Sequence, residues 1–212
     1  FVSTGSMVFA PKDNTGSTLT YNSSTSQFTY TRSDGTIYTT ERKGTMTLSD
    51  GVVTKKVEPN GLTTNYNYAT ITYEICPEPE TDPELDLPGG GVVFCQDVTA
   101  GRLQSYDNNA GYMVHYDYAS NLDPEDPSWH EVAKVTALNL AVDYCAPTAA
   151  TCTFTRTWPS VAFSTATPSS GVTDQIFTDQ TGFTTRYRSQ WVSTGKQTDV
   201  LLGTDPDPVI SV

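Results

Sequence analysis

Histidine, basic charge and long apolar runs are the scarce features of this sequence. The 212-residue chain has two histidines, His115 and His130, and they are its whole supply of side chains that ordinarily titrate near neutral pH. No Gly-x-Ser-x-Gly elbow, His-Glu-x-x-His helix or phosphate-cradling glycine loop occurs. Twelve Lys+Arg stand against 24 Asp+Glu, for a net charge of −12. Nucleic acid and anionic membranes both need clustered basic residues, so neither is expected as a partner. No window holds eighteen consecutive apolar residues, which excludes a transmembrane helix. The amino terminus has neither a basic start nor an apolar core and does not read as a signal peptide. With Phe1 in place of an initiator Met and a strand-like end at 208–212, the chain is expected to be a mature or excised piece of a longer secreted protein.

What the chain does have is β-forming residues. Hydrophobic residues make up only 36%, yet there are 12 Tyr, 8 Phe and 3 Trp, and Thr is frequent throughout. Aromatic and β-branched side chains suit a pleated, half-buried surface, so strands are favoured over helices. A chain of this length fits one all-β domain or two small ones.

Segment 107–118 sets the pattern. An Asp/Asn cluster ends at Gly111, and Tyr116 and Tyr118 stand five and seven residues beyond it. Asn and Asp bond their own main chain and glycine tolerates positive φ, so the first half is a tight turn. The second half is a strand with Tyr112, Val114, Tyr116 and Tyr118 on one face and Met113, His115 and Asp117 on the other. The spacing recurs as Gly61 with Tyr66 and Tyr68, Gly182 with Tyr187, and Gly16 with Tyr21. A looser copy has Gly35 with Ile37 and Tyr38.

Residues 7–68 alternate short Thr/Tyr/Val-rich runs with glycine turns and read as a meander with one covered and one wet face. Strand candidates include 18–21, 27–31, 36–40, 45–48, 52–57 and 68–75, then 92–94 and, near the end, 151–159 and 184–192. Segment 131–144 carries both helical and strand phases. Segment 76–91, with four prolines and five carboxylates, reads as a loop standing off the sheet, and 120–130 as a second polar insertion. The boundaries expected are a meander over 1–75, a disulfide-tethered loop over 76–95 and a second hairpin set over 96–212.

Four cysteines allow three pairings. Cys76 with Cys95 and Cys145 with Cys152 is favoured, because each pair closes a local loop, and cysteine used this way points to an oxidising, secreted or cell-surface location. The spacing of cysteines and histidines is not that of structural zinc. No cofactor is expected. Calcium on the oxygen-rich 76–91 loop is the one alternative, without EF-hand spacing to support it.

Segments 102–107 (Arg-Leu-Gln-Ser-Tyr-Asp), 60–68 and 179–187, together with Tyr116-Asp117-Tyr118, resemble the YD-repeat, or Rhs, family. The resemblance implies short β-hairpins coiling into a long β-sheet shell. The matching glycines lie 19, 26, 50 and 71 residues apart, and the family's aspartyl autoproteolytic core has no counterpart here. The expectation is therefore all-β: antiparallel hairpin repeats forming a curved sheet or an arc of a β-shell, with Pro-rich acidic insertions. It would act by assembly, with other copies or the rest of a parent chain as partner.

Two other functions compete with that one. Trp129, Trp158 and Trp191 are candidates for stacking on sugar rings in a glycan- or protein-binding adhesin module, against the plainer reading that they fill a sparse core. Paired carboxylates could support glycoside hydrolysis, but the acids cluster in Pro-rich loops that fix position poorly. No catalytic residue is assigned. His115 reads as a surface or cross-strand residue and His130 as a loop contact.

Overall fold

The computed structural model describes residues 2–3, 8–11, 15–41, 51–76, 95–193, 195–204 and 207–211. Among these the chain is all-β, with fifteen strands, one 3-10 turn and no α-helix. Pairing is antiparallel between chain neighbours, and strand order follows chain order. The contacts divide the chain into two units, Phe1–Pro59 with Tyr68–Arg102 and Asn60–Asn67 with Leu103–Val212. The division cuts through two long strands, where the sequence suggested breaks at 75 and 96.

The first unit contains β1 (Val2–Ser3), β2 (Val8–Ala10), β3 (Thr18–Asn22), β4 (Gln27–Thr31), β5 (Ile37–Glu41) and β6 (Val52–Val57). It also takes 68–75 of β7 (Thr63–Ile75) and 96–102 of β8 (Gln96–Asn108). Alternation in β3 is as expected, with Leu19 and Tyr21 half-buried between exposed threonines. Across β4 and β5 the expected contrast of covered and wet faces is missing, since nearly every residue is half-buried. No large hydrophobic of this unit is fully buried among the described residues. The backbone ladder and cross-strand ring pairs bind these strands, including Tyr30 stacked on its register partner Tyr38 with centroids 6.1 Å apart. The strand candidate at 45–48, the one at 92–94, and the body of the Pro-rich loop with its calcium reading lie outside the described residues.

The second unit takes 63–67 of β7 and 103–108 of β8, then β9 (Tyr112–Tyr118) and β10 (Val132–Asn139). Beyond them come β11 (Ser160–Ser169), β12 (Val172–Asp179), β13 (Thr184–Val192), β14 (Gly195–Leu202) and β15 (Ile210–Ser211). Strand phase wins in the ambiguous 131–144 stretch, because pairing β10 with β9 puts Leu138 opposite Met113. Segment 151–159, expected as a strand, is irregular. Thr155 and Trp158 bond to Asp143 and its rings pack on the core, and only Pro159 O at its end takes a backbone bond from β10, from Ala137 N at 2.9 Å.

That irregular segment supplies the core. Residues 140–159 cover the face of β9 and β10 that carries Met113 and Leu138, and these two cluster with Cys145. Leu140, Ala149, Cys152, Phe154 and Trp158 pack around them. Full burial of a side chain such as Met113 or Leu138 is worth about 1.5–3 kcal/mol. The 120–130 insertion also contributes: Asp126 caps a 3-10 turn, Pro127–Trp129, by accepting from Ser128 N at 2.8 Å, and the turn buries Trp129.

Candidate functional site

The repeated turn is one geometry. Gly16, Gly35, Gly61, Gly111 and Gly182 all have positive φ, between 71° and 86°. At Gly35, Gly61, Gly111 and Gly182 this is the hairpin loop in which the last residue takes the left-handed position. In four of the turns a side-chain oxygen of Asp or Asn captures the amide immediately after the glycine. Asp34 takes Thr36 N at 2.9 Å, Asn60 takes Leu62 N at 2.9 Å, Asn108 takes Tyr112 N at 3.1 Å and Asp179 takes Phe183 N at 3.0 Å. The acceptor stands one residue before the glycine in the first two and three before it in the others, so the same amide is satisfied in each turn while the residue that supplies the accepting oxygen changes.

The tyrosine positions have uniform roles as well. Five residues past the glycine, each ring meets an aromatic ring on a neighbouring strand. Tyr21 lies 4.7 Å from Phe28, Tyr66 6.1 Å and Tyr116 6.4 Å from the shared Tyr106, and Tyr187 5.2 Å from Phe177. At seven residues past, the hydroxyl donates to a neighbouring backbone carbonyl: Tyr68 to Val53 O at 3.0 Å, and Tyr118 to Leu103 O. Burial first, and then the adjacent Tyr106 and Tyr66, push the Tyr116 hydroxyl above its ordinary pKa.

The tyrosine ribbon is not the face that forms the core. Met113 and His115, on the opposite side of β9, are 2% and 1% exposed, whereas Tyr112 is 56% exposed. This corrects the surface reading of His115, although it does have cross-strand partners in Ser105 and Thr136. Its Nε2 lies 2.8 Å from Ala149 O in the covering segment, and its Nδ1 3.5 Å from Asp117 Oδ1. Ser105 Oγ donates to Pro147 O at 2.7 Å. Asn67 Nδ2 bridges Ser105 Oγ and Asp107 Oδ1 at 3.1 and 2.8 Å on the adjacent strand. Asp143 fastens the far limb, accepting from Thr155 Oγ1 and Trp158 Nε1, both at 2.7 Å.

Both favoured disulfides are present, Cys76 with Cys95 and Cys145 with Cys152. His115, Cys145 and Cys152 have their ligating atoms within 4.8 Å of one another, as do the exposed Glu74, Cys76 and Cys95.

The three tryptophans separate. Trp129 is buried, and its ring meets the exposed His130 edge-on at 4.7 Å, so it is not available to a sugar. Trp158 is tied to Asp143 and packed on the core. Trp191 is 76% exposed. It shares a face of β13 with Tyr187 and Ser189, next to a shallow depression of about 500 Å³ lined by Gln175, Phe177, Thr185, Tyr187, Ser189 and Thr198. On the other face, Arg188 grips the buried Asp174 with two bonds of 2.8 Å, and Asp199 accepts from Gln197 and Ser211.

The described aspartates whose pKa moves all move down. Asp34 and Asp126 are lowered chiefly by backbone amides of Thr36 and Ser128, Asp143 by the Thr155 hydroxyl and Asp179 by the Thr181 hydroxyl. Asp174 is lowered by Arg188, and Asp199 by Gln197. A glycosidase general acid needs the opposite shift. Comparison with protein-family models, with characterised proteins and with solved structures finds no match for this chain.

Proposed function

We propose that the chain is a structural unit of the YD-repeat type, secreted or at the cell surface, that acts by assembling into a shell or filament. The observation that carries this is the repeated role of one position: five residues after Gly16, Gly61, Gly111 and Gly182 a tyrosine ring meets an aromatic ring on an adjacent strand. Tyr21 and Tyr66 reach the strand beyond their own hairpin while Tyr116 and Tyr187 pack across it, so this one position joins strands both between and within hairpins, which suits a repeat architecture. The paired cysteines support an oxidising exterior location. Further copies or a parent chain would extend the sheet by strand addition at its terminal strands. Light scattering over a concentration series, with electron microscopy of the same samples, should show growth into closed shells or filaments. A chain that stays monomeric throughout refutes self-assembly.

The exposed Trp191, on the same face of β13 as Tyr187, favours glycan binding as a second reading. An exposed ring with Gln175, Ser189 and Gln190 around it presents a stacking surface and hydrogen-bonding groups together. On this reading Trp191→Ala abolishes retention on a glycan array and leaves the melting temperature unchanged; retention equal to wild type removes it.

A further inference from the structure

His115 holds an ordinary ladder position in β9, opposite Ser105 and Thr136, but its side chain plays no part in the turns or the ring pairs. It stands in β9 where the best copies have Asn65 and Arg186, and the covering segment brings two sulfur atoms to it. Sequence spacing could not show this, since 30 residues separate His115 from Cys145. Two further groups beside it are notable. Thr136 Oγ1, on the residue directly across the ladder from His115, is buried and forms no hydrogen bond among the described residues. Gln104 is fully buried with its Nε2 3.5 Å from His115 Nε2, and its Oε1 likewise has no partner. Buried polar atoms are nearly always satisfied, and two exceptions beside one imidazole mark a polar site rather than ordinary core.

We propose that when the Cys145–Cys152 bond is reduced, Cys145, Cys152 and His115 form a three-ligand site for a thiolate-preferring ion of the Zn²⁺ or Cu⁺ class. In tetrahedral zinc sites the metal–sulfur and metal–nitrogen distances are about 2.3 and 2.0 Å, which puts ligand atoms about 3.5–3.8 Å apart. The imidazole nitrogen lies within 4.8 Å of both sulfurs, and once the bond between them is broken the two sulfurs have to move apart to that ligand spacing, from Cα atoms that stand 5.7 Å apart. A dithiol or phosphine reductant supplies the two electrons and the disulfide takes up two protons to give two thiols. Metal binding then releases those two protons as both sulfurs ligate as thiolates.

Nε2 is the ring nitrogen that faces the loop, since it contacts Ala149 O between the two cysteines. Ligation through Nε2 places the remaining ring proton on Nδ1, where Asp117 Oδ1 at 3.5 Å is positioned to accept it. A carboxylate behind a ligating histidine fixes both tautomer and ring orientation. The fourth position falls to water or to the Ala149 carbonyl. Thiolate softness, a neutral imidazole and the absence of a carboxylate in the first three ligands disfavour calcium and magnesium at this place. The consequence is that the covering segment has two interchangeable fastenings, a metal under reducing conditions and a disulfide under oxidising ones.

The test uses the full chain carrying Cys76→Ser and Cys95→Ser, which removes the other cysteine pair. Reduced without oxygen and titrated with Cd²⁺, it should develop thiolate charge-transfer absorption that saturates at one equivalent, while the oxidised protein should show none. His115→Gln should weaken binding by about tenfold or more. As a measurement that needs no change at His115, Zn²⁺ should slow alkylation of Cys145 and Cys152 by iodoacetamide at least tenfold, read by mass spectrometry. Absence of the band, equal affinity in His115→Gln that retains the fold, binding by the oxidised chain, or alkylation indifferent to Zn²⁺ would each overturn the site.

Discussion

Replacing Gly111 with alanine isolates the energetic content of the repeated turn. The φ of this residue is 84°, and a Cβ built there meets nothing within 4 Å. Any cost therefore comes from the left-handed backbone and not from a clash, and for an L-residue that is about 1–2 kcal/mol. Gly182 has φ 86° and the same open surroundings, so Gly182→Ala should cost the same within a few tenths. Asparagine visits the left-handed region more readily than alanine, and Gly111→Asn should recover part of the loss. Gly51 is the control. Its φ is not in the left-handed range and its Cβ would reach Thr40 Oγ1 at an ordinary 3.5 Å, so Gly51→Ala should be neutral or stabilise by about 0.4–1 kcal/mol through the unfolded chain. Urea unfolding followed by tyrosine and tryptophan fluorescence reads all four variants. A neutral Gly111→Ala, or an asparagine no better than alanine, would show that the turn is not held in the left-handed form and would remove the common element from the repeats.

Three other outcomes follow from the same contacts. Arg188 lowers the Asp174 pKa, so the stability this pair contributes is present above the ordinary carboxylate pKa of 3.8 and is lost as pH falls through the lower folded value; Asp174→Asn should flatten the acid limb of a melting-temperature profile, and an unchanged limb refutes the assignment. Opening the Cys145–Cys152 loop with Cys145→Ser/Cys152→Ser should cost about 2.5 kcal/mol by loop-closure entropy, read as a lower urea midpoint, and an unchanged midpoint in oxidised samples contradicts it. Amides of β9 and β10 under the covering segment should exchange more slowly with deuterium than those of β3 to β5, where no large side chain is fully buried, and equal protection would show that the cover contributes little.

Local signals in the sequence were read correctly wherever local physics decides the outcome. Glycine after Asp or Asn, followed by alternating threonine and tyrosine, specifies a turn and a strand without help from the rest of the chain, and Gly16, Gly61, Gly111 and Gly182 all adopt the expected φ. Cysteines close in sequence were paired for the same reason. What alternation could not supply is which face of a strand becomes the inside. In β9 the ring-rich face looks like the core by hydrophobicity, yet the face with Met113 and His115 is covered, because a segment 20 residues long and remote in sequence folds over it. Segment 151–159 has strand composition, but Asp143 claims its Thr155 amide and Trp158 indole before any ladder can. His115, Thr136 and Gln104 were invisible as a group for the same reason, since only tertiary folding brings them together.

The insertions matter more to this molecule than their composition suggests. A bare hairpin sheet has two wet faces, and in the first unit the described strands remain half-buried with no large hydrophobic fully enclosed. In the second unit four of the five buried hydrophobics involve an insertion: Trp129 and Cys145 come from one, and Met113 and Leu138 lie beneath one. The repeats define strand order and spacing, while the loops between them decide where a sheet face acquires a core. Variation in the insertions can thus add or remove a buried face without disturbing the turn glycines or the tyrosines five residues on. For the assembly proposed above, this would leave strand edges alike while sheet faces differ.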